Sequence, residues 1–234
     1  MSRTWDLFVE TGPQRKSTNV YVIDLLGCVL FRRTADQAIG DAADEIRAYL
    51  RWLHGHGEKV DPEARFETRV KHESHAGGFI GSARIEEDLA PLTATEVARY
   101  ARWLEWGRED LLVLAAKIDR KRLDHKPASG RTLRGILEHV LGADKGYVYS
   151  VFRTTKSVGD PTNAALAGKL DLGVALREAR AAAVERIRAA TREERESVRQ
   201  GGASTYTLRR CLRSMLGHEW EHRREIEDRL TSAA

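Results

Sequence analysis

Eight histidines stand among the 234 residues, and three of them lie on segments with helical periodicity. His218 and His222 are four residues apart, hence one turn apart on one helical face, about 6 Å along the axis. Met215 and Ile226 share that face with His222, which makes it the buried one. His139 sits at the edge of a second apolar stripe, three residues after Ile136 and one before Val140. The other five (His54, His56, His72, His75 and His125) fall in loops or at element ends. Two packed helices can bring a lone His and a His-x-x-x-His pair to one point. Neutral imidazole suits Zn(II), Ni(II), Fe(II) or Cu(II). Three protein ligands leave one position open, as catalytic rather than structural sites do, and such an ion lowers the pKa of a bound water or thiol towards neutrality. His139, His218 and His222 are therefore the predicted metal ligands. The same spacing also occurs in surface histidines and in hydrogen-bonded core histidines.

Other residues are weighed against this trio. His218-Glu219-Trp220-Glu221-His222 has the literal form of a zinc-peptidase motif, with Glu219 as general base. Only 12 residues follow it, and Glu225 stands where the extended motif needs Gly, so a peptidase is disfavoured. Glu138, Asp144 and Glu219 are candidate acceptors for the second ring N–H of a ligating histidine. Cys211, seven residues before His218, is about 10.5 Å away along a straight helix, too far to share one ion with both histidines. It is expected to be a packed thiol, as is Cys28. Six arginines of the last helical stretch, from Arg209 to Arg229, alternate with Glu221, Glu225, Glu227 and Asp228. Pairing at i, i+4 accounts for them, whereas a nucleic-acid track needs uncompensated charge with exposed aromatics. Trp103, Trp106 and Trp220 exceed what a helical core requires and suit a domain junction or a substrate pocket.

The elements that must position the trio are legible from pattern. Thr93-x-x-Glu96 forms a capping box, and Val97 to Ile118 follow at a period of 3.6. Thr132 opens a second helix carrying Leu133, Ile136, Val140, Tyr147 and Val151. Residues 153–171 read as a long irregular connection, with Gly159, Pro161 and Gly168. A third helix begins at Leu172 and ends before Gly201-Gly202, and a fourth runs from Leu208 to Leu230. Four amphipathic stretches of about 20 residues hide their stripes only against one another, which predicts a four-helix bundle. Residues 1–85 read differently. Trp5–Glu10, Asn19–Asp24 and Cys28–Phe31 are short β-type segments, and Thr34 with Gln37 caps a helix through Leu53. Phe66–His72 is a fourth strand candidate. Residues 77–91 read as linker, with Glu86-Glu87-Asp88 as a solvated loop. The predicted fold class is thus α+β, with domains at 1–85 and 93–234 and a linker at 86–92.

Composition bounds the function classes. Charged residues make up 32% and hydrophobic ones 41%, with only 5 Pro, which excludes a disordered chain. The net charge of +4 hides a split of −3 over residues 1–90 and +7 over the remainder. No apolar run approaches about 18 residues, so no transmembrane helix is expected. Met1–Asp6 leads into no apolar stretch, so no secretory signal is expected. Two cysteines make no disulfide framework, and a reducing cytoplasm is expected.

Two stretches, Gly130-Arg-Thr-Leu-Arg-Gly-Ile-Leu-Glu-His139 and Leu216-Gly-His-Glu-Trp-Glu-His-Arg-Arg-Glu-Ile226, resemble the second and last helices of the DinB-like (YfiT-like) metal-binding bundles. The resemblance covers roughly residues 93–231. It implies a four-helix bundle in up-down-down-up order, with His139, His218 and His222 holding one divalent metal, commonly zinc or nickel. It further implies a metal-dependent enzyme, either a hydrolase or a transferase that joins a low-molecular-weight thiol (mycothiol, bacillithiol or glutathione) to a small electrophile. The alternative is a non-catalytic partner-binding or dimerisation module in which the metal only stiffens the fold. Tyr21-Val-Ile-Asp-Leu-Leu-Gly-Cys28 with Thr34-Ala-Asp-Gln-Ala38 is similar to the HicB-like antitoxin domain over residues 5–72, with Leu26 where that motif usually has Pro. This second resemblance brings no catalytic residue. A homodimer is expected, with no membrane and no nucleic-acid partner.

Overall fold

A computed structural model describes residues 3–76, 85–201 and 204–231. The chain divides into two compact units, Met1–Ala90 with Gln200–Thr205, and Pro91–Arg199 with Tyr206–Ala234. It is an α+β protein with an N-terminal sheet and a helical C-terminal region.

In the first unit, strands β1 (Arg3–Thr11) and β2 (Thr18–Val22) pair antiparallel, Leu7 opposite Val22 and Thr11 opposite Thr18. A turn follows in which Gly27 adopts a φ of 91°, which favours glycine. Strand β3 (Val29–Arg32) then pairs antiparallel with β2. Helix α1 (Ala35–Gly55) starts where Thr34 accepts a hydrogen bond from the Gln37 backbone N–H. It buries Ala38, Ala42, Ile46, Tyr49 and Leu53, and the Tyr49 hydroxyl donates to the Leu26 carbonyl at 2.9 Å. Strand β4 (Phe66–His75) returns parallel to β1, giving the order β3-β2-β1-β4. The acidic stretch after it corrects the solvated-loop expectation. Glu86–Leu89 winds into a 3-10 turn with Ile85 and Asp88 buried, and Glu87 accepts from Lys71 at 2.8 Å. A buried Ile85 and a lysine on β4 outweigh the solubility of three acids. Residues 77–84 of the expected linker lie outside the described residues.

The second unit opens with the expected capping box. Thr93 accepts from the Glu96 N–H at 3.1 Å, and the Glu96 carboxylate accepts from the Thr93 N–H at 2.8 Å. Helix α2 (Ala94–Ala115) is followed by a short helix, α3 (Arg120–Asp124), and then by α4 (Leu133–Phe152), N-capped by Thr132. The supposedly irregular connection holds a further helix, α5 (Lys156–Leu166), with Pro161 inside it. Pro161 cannot donate a helical hydrogen bond, but α5 packs on α4 and on α6 (Leu172–Arg188), and that contact outweighs the loss. Gly159 permits the close approach, since a Cβ there would meet Lys145 of α4 at 3.3 Å.

The third predicted helix keeps its expected bounds. It begins at Leu172 and ends before Gly201-Gly202 as expected, at Arg188, where a new capping box, Thr191 with Glu194, starts α7 (Arg192–Glu196). Two short paired strands follow in the chain, β5 (Arg199–Gly201) and β6 (Ser204–Tyr206), most of whose residues group with the first unit. Helix α8 (Leu208–Thr231) completes the unit, with Thr207 accepting from the Arg210 N–H. Helices α2 and α4 each pack against both α6 and α8.

One charged residue from each of the four long helices of this unit meets in its interior: Arg108 (α2), Asp144 (α4), Arg180 (α6) and Glu219 (α8), none more than 3% exposed. Arg108 donates to Glu219 at 2.6 Å and to Asp144 at 3.0 Å. Arg180 donates to Asp144 at 2.9 Å and lies 2.5 Å from the second Glu219 oxygen. Two cations and two anions thus balance one another. The remaining guanidinium N–H groups reach the Leu176 and Leu104 carbonyls. The network gives buried charges the partners they need.

Candidate metal centre

Helix α8 presents His218, His222, Glu225 and Arg229 at intervals of four, three and four residues, a spacing that keeps them on one face. Helix α4 presents His139 towards them. The His139 and His218 Nε2 atoms are 3.0 Å apart. Ring centroids are 4.8 Å apart for His139 and His218, 5.0 Å for His139 and His222, and 4.5 Å for His218 and His222. One nitrogen from each ring lies within 4.8 Å of the others. Ligands at about 2.0–2.1 Å from a zinc ion in tetrahedral array stand about 3.3 Å from one another, so small side-chain adjustments would bring the set to one ion. His222 is buried, while His139 and His218 keep partial exposure.

The second ring nitrogen of His222 has a defined partner. Its Nδ1–H donates to Glu225 Oε2 at 2.9 Å, which leaves the Nε2 lone pair free for a metal. The hydrogen bond from His222 is the main cause that lowers the Glu225 pKa, with burial opposing it and Arg229 adding to it. Burial, then the neighbouring His222 and His139, hold the His218 pKa well below its ordinary value. His139 is shifted the same way, by burial first and by Arg131 and His222 next. Imidazoles that resist protonation are the donors a divalent cation requires. Three imidazole nitrogens, one ring oriented by a carboxylate, suit a divalent transition-metal ion.

The acids proposed from sequence as hydrogen-bond partners fall elsewhere. Glu219 and Asp144 belong to the buried four-charge network, because they point into the helix core rather than along the histidine face. Glu219 is thus held by two arginines and cannot serve as a peptidase base. Glu138, half-buried on α4, hydrogen-bonds to no imidazole among the described residues. The residue that sequence reasoning missed is Glu225. Its signal was the i, i+3 spacing from His222, masked by the many acids on that helix.

Cys211 is a packed thiol, as expected. Burial pushes its pKa up to about 12, and its S–H donates to the Tyr147 carbonyl. Cys28 is also buried. Tyr147 lays its ring against His218 at 5.8 Å, and burial raises its pKa, so the phenol stays protonated beside the cluster. Trp103 and Trp220 are buried, and Trp106 is partly exposed.

No curated protein and no solved structure matches the chain. No helix among the described residues is long and apolar enough to cross a membrane. A family model described as the DinB superfamily matches residues 103–226, just over half of the chain, and the matched segment holds all three histidines. On that match the chain belongs to the DinB superfamily.

Proposed function

We propose that the helical unit is a metal-dependent enzyme in which His139, His218 and His222 hold one divalent ion, zinc or nickel. Its reaction on this reading is transfer of a low-molecular-weight thiol to a small electrophile. The observation that carries the reading is the convergence of three imidazoles from two helices, with nitrogens within 4.8 Å and two of the three residues partly exposed. The exposed side of His139 and His218 is where a substrate thiol would enter. When bound, the ion would keep that thiol as thiolate near neutral pH.

The chain's own residues support this chemistry. Glu225 fixes the His222 tautomer, so that Nε2 faces the other rings. Burial keeps His218 neutral, and so able to donate its lone pair. Cys211, protonated and packed, offers no internal thiolate to compete with a substrate thiol. The bundle in up-down-down-up order belongs to the same reading, supported by the packing of α2 and α4 on both α6 and α8. For the first unit we infer a HicB-like domain. In support, Tyr21–Cys28 supplies the end of β2 and the following turn, and Thr34 caps α1.

Two measurements test the site and the activity. Elemental analysis should find about one zinc or nickel per wild-type chain and almost none in His222→Ala; equal contents would remove the site. His139→Ala should abolish transfer of glutathione, bacillithiol or mycothiol to an aryl halide while the fold persists. One observation favours the alternative of a binding module with a structural metal: the ligands join α4 to α8 and would crosslink them. If His139→Ala unfolds the helical unit and no thiol–electrophile pair turns over with wild type, that alternative stands.

A further inference from the structure

Arg229 lies one turn beyond Glu225 and makes two contacts that differ in kind. Its Nη2 donates to Glu225 Oε1 at 2.5 Å, and its Nη1 donates to the backbone carbonyl of Arg131 at 2.7 Å. The first contact holds the carboxylate that receives the His222 Nδ1–H. The second holds the residue just before the N-cap of α4, the helix that carries His139. Gly130 makes room for this. It has a φ of +85°, and a Cβ there would stand 3.3 Å from Arg229 Nη2. A neighbouring pair on α8 behaves differently, since among the described residues Arg224 reaches only Glu227 of its own helix, as ordinary surface pairs do. A guanidinium can serve two acceptors in a fixed fork, whereas an ammonium is a single mobile point charge.

We propose that Arg229 is a positioning residue of the metal centre, acting on His222 through Glu225 and on the start of α4 through the Arg131 carbonyl. The inference rests on the metal reading above, yet its first consequence is visible without metal. With the fork in place, the Glu225 carboxylate is aimed along the helix at the His222 Nδ1–H. Without it, the partly exposed carboxylate is free to turn to water, and the ring loses the contact that selects its tautomer.

The test uses the full chain. In metal-free protein at mildly alkaline pH, nitrogen-15 NMR of His222 should report the Nδ1–H tautomer in wild type. Arg229→Met should shift His222 towards a mixture, and Arg229→Lys should restore part of the wild-type signal. Adding Arg229→Met to Glu225→Ala should shift the His222 tautomer no further. Zinc affinity, measured by competition with a chelator, should weaken about tenfold in Arg229→Met, the lower end of what loss of a ligand's supporting contacts costs. Arg224→Met should leave both readings at wild type. An unchanged His222 tautomer in Arg229→Met overturns the proposal whatever zinc does, as does an equal effect from Arg224→Met. A wild type that binds neither zinc nor nickel while Arg229→Met still shifts the tautomer sinks the metal reading and leaves the positioning role standing.

Discussion

At the residue scale, the candidate centre depends on imidazoles that stay neutral. His218 and His139 both have pKa values below the ordinary 6.5, chiefly through burial. A lowered imidazole pKa means that the unfolded chain takes up protons which the folded protein refuses. The stability tied to these groups is therefore present above pH 6.5 and is lost as pH falls from there through their folded values. The melting temperature of metal-free protein should drop between about pH 7 and about pH 5, where histidines charge. A His218→Gln variant should lose less over the same interval, and identical losses would take His218 out of the account. The three candidate histidines were legible from type and pattern: His218 and His222 one turn apart share a helix face whatever surrounds them, and His139 borders a second apolar stripe. Glu225 was not, since its role depends on which of several acids the neighbouring ring meets.

At the element scale, the strongest local signals were the caps. Thr93 with Glu96 and Thr132 with Gly135 start helices α2 and α4 where polar side chains can satisfy free N–H groups. Thr93→Ala should lower stability by about 1 kcal/mol in urea titrations, the usual cost of a lost N-cap. A change below a few tenths would mean that packing alone sets the start of α2. Residues 153–171 were misjudged for a physical reason. Pro161 and Gly159 weigh against a helix locally, but the contact of α5 with α6 and α4 rewards it, and that reward is invisible in a short window. The third predicted helix starts at Leu172 and ends before Gly201-Gly202 as expected, and a local signal sets its end. Ala190 continued its apolar pattern, but Thr191-x-x-Glu194 competed for the backbone and won.

At the scale of the whole molecule, the decisive feature is the buried network of Arg108, Asp144, Arg180 and Glu219. Removing one member strands the others in a medium that solvates charge poorly. Asp144→Leu should therefore cost about 3–5 kcal/mol in denaturant unfolding of the full chain. Replacing all four together, as Arg108→Met, Asp144→Leu, Arg180→Met and Glu219→Leu, should recover most of that loss, since no charge is then left unpaired. If the quadruple variant is less stable than the single one, the network contributes attraction beyond its own desolvation. By itself the sequence determined the α+β class, the principal helix starts and three histidines of ligand type, because period, capping and spacing act over a few residues. Only the tertiary structure decided that Glu219 meets Arg108 across 111 positions, that Asp144 meets Arg108 across 36, and that Glu225 rather than either acid accepts a hydrogen bond from a histidine. A charged residue on an amphipathic helix looks solvent-facing until the neighbouring helices arrive, and it is their arrival that assigns each charge its partner.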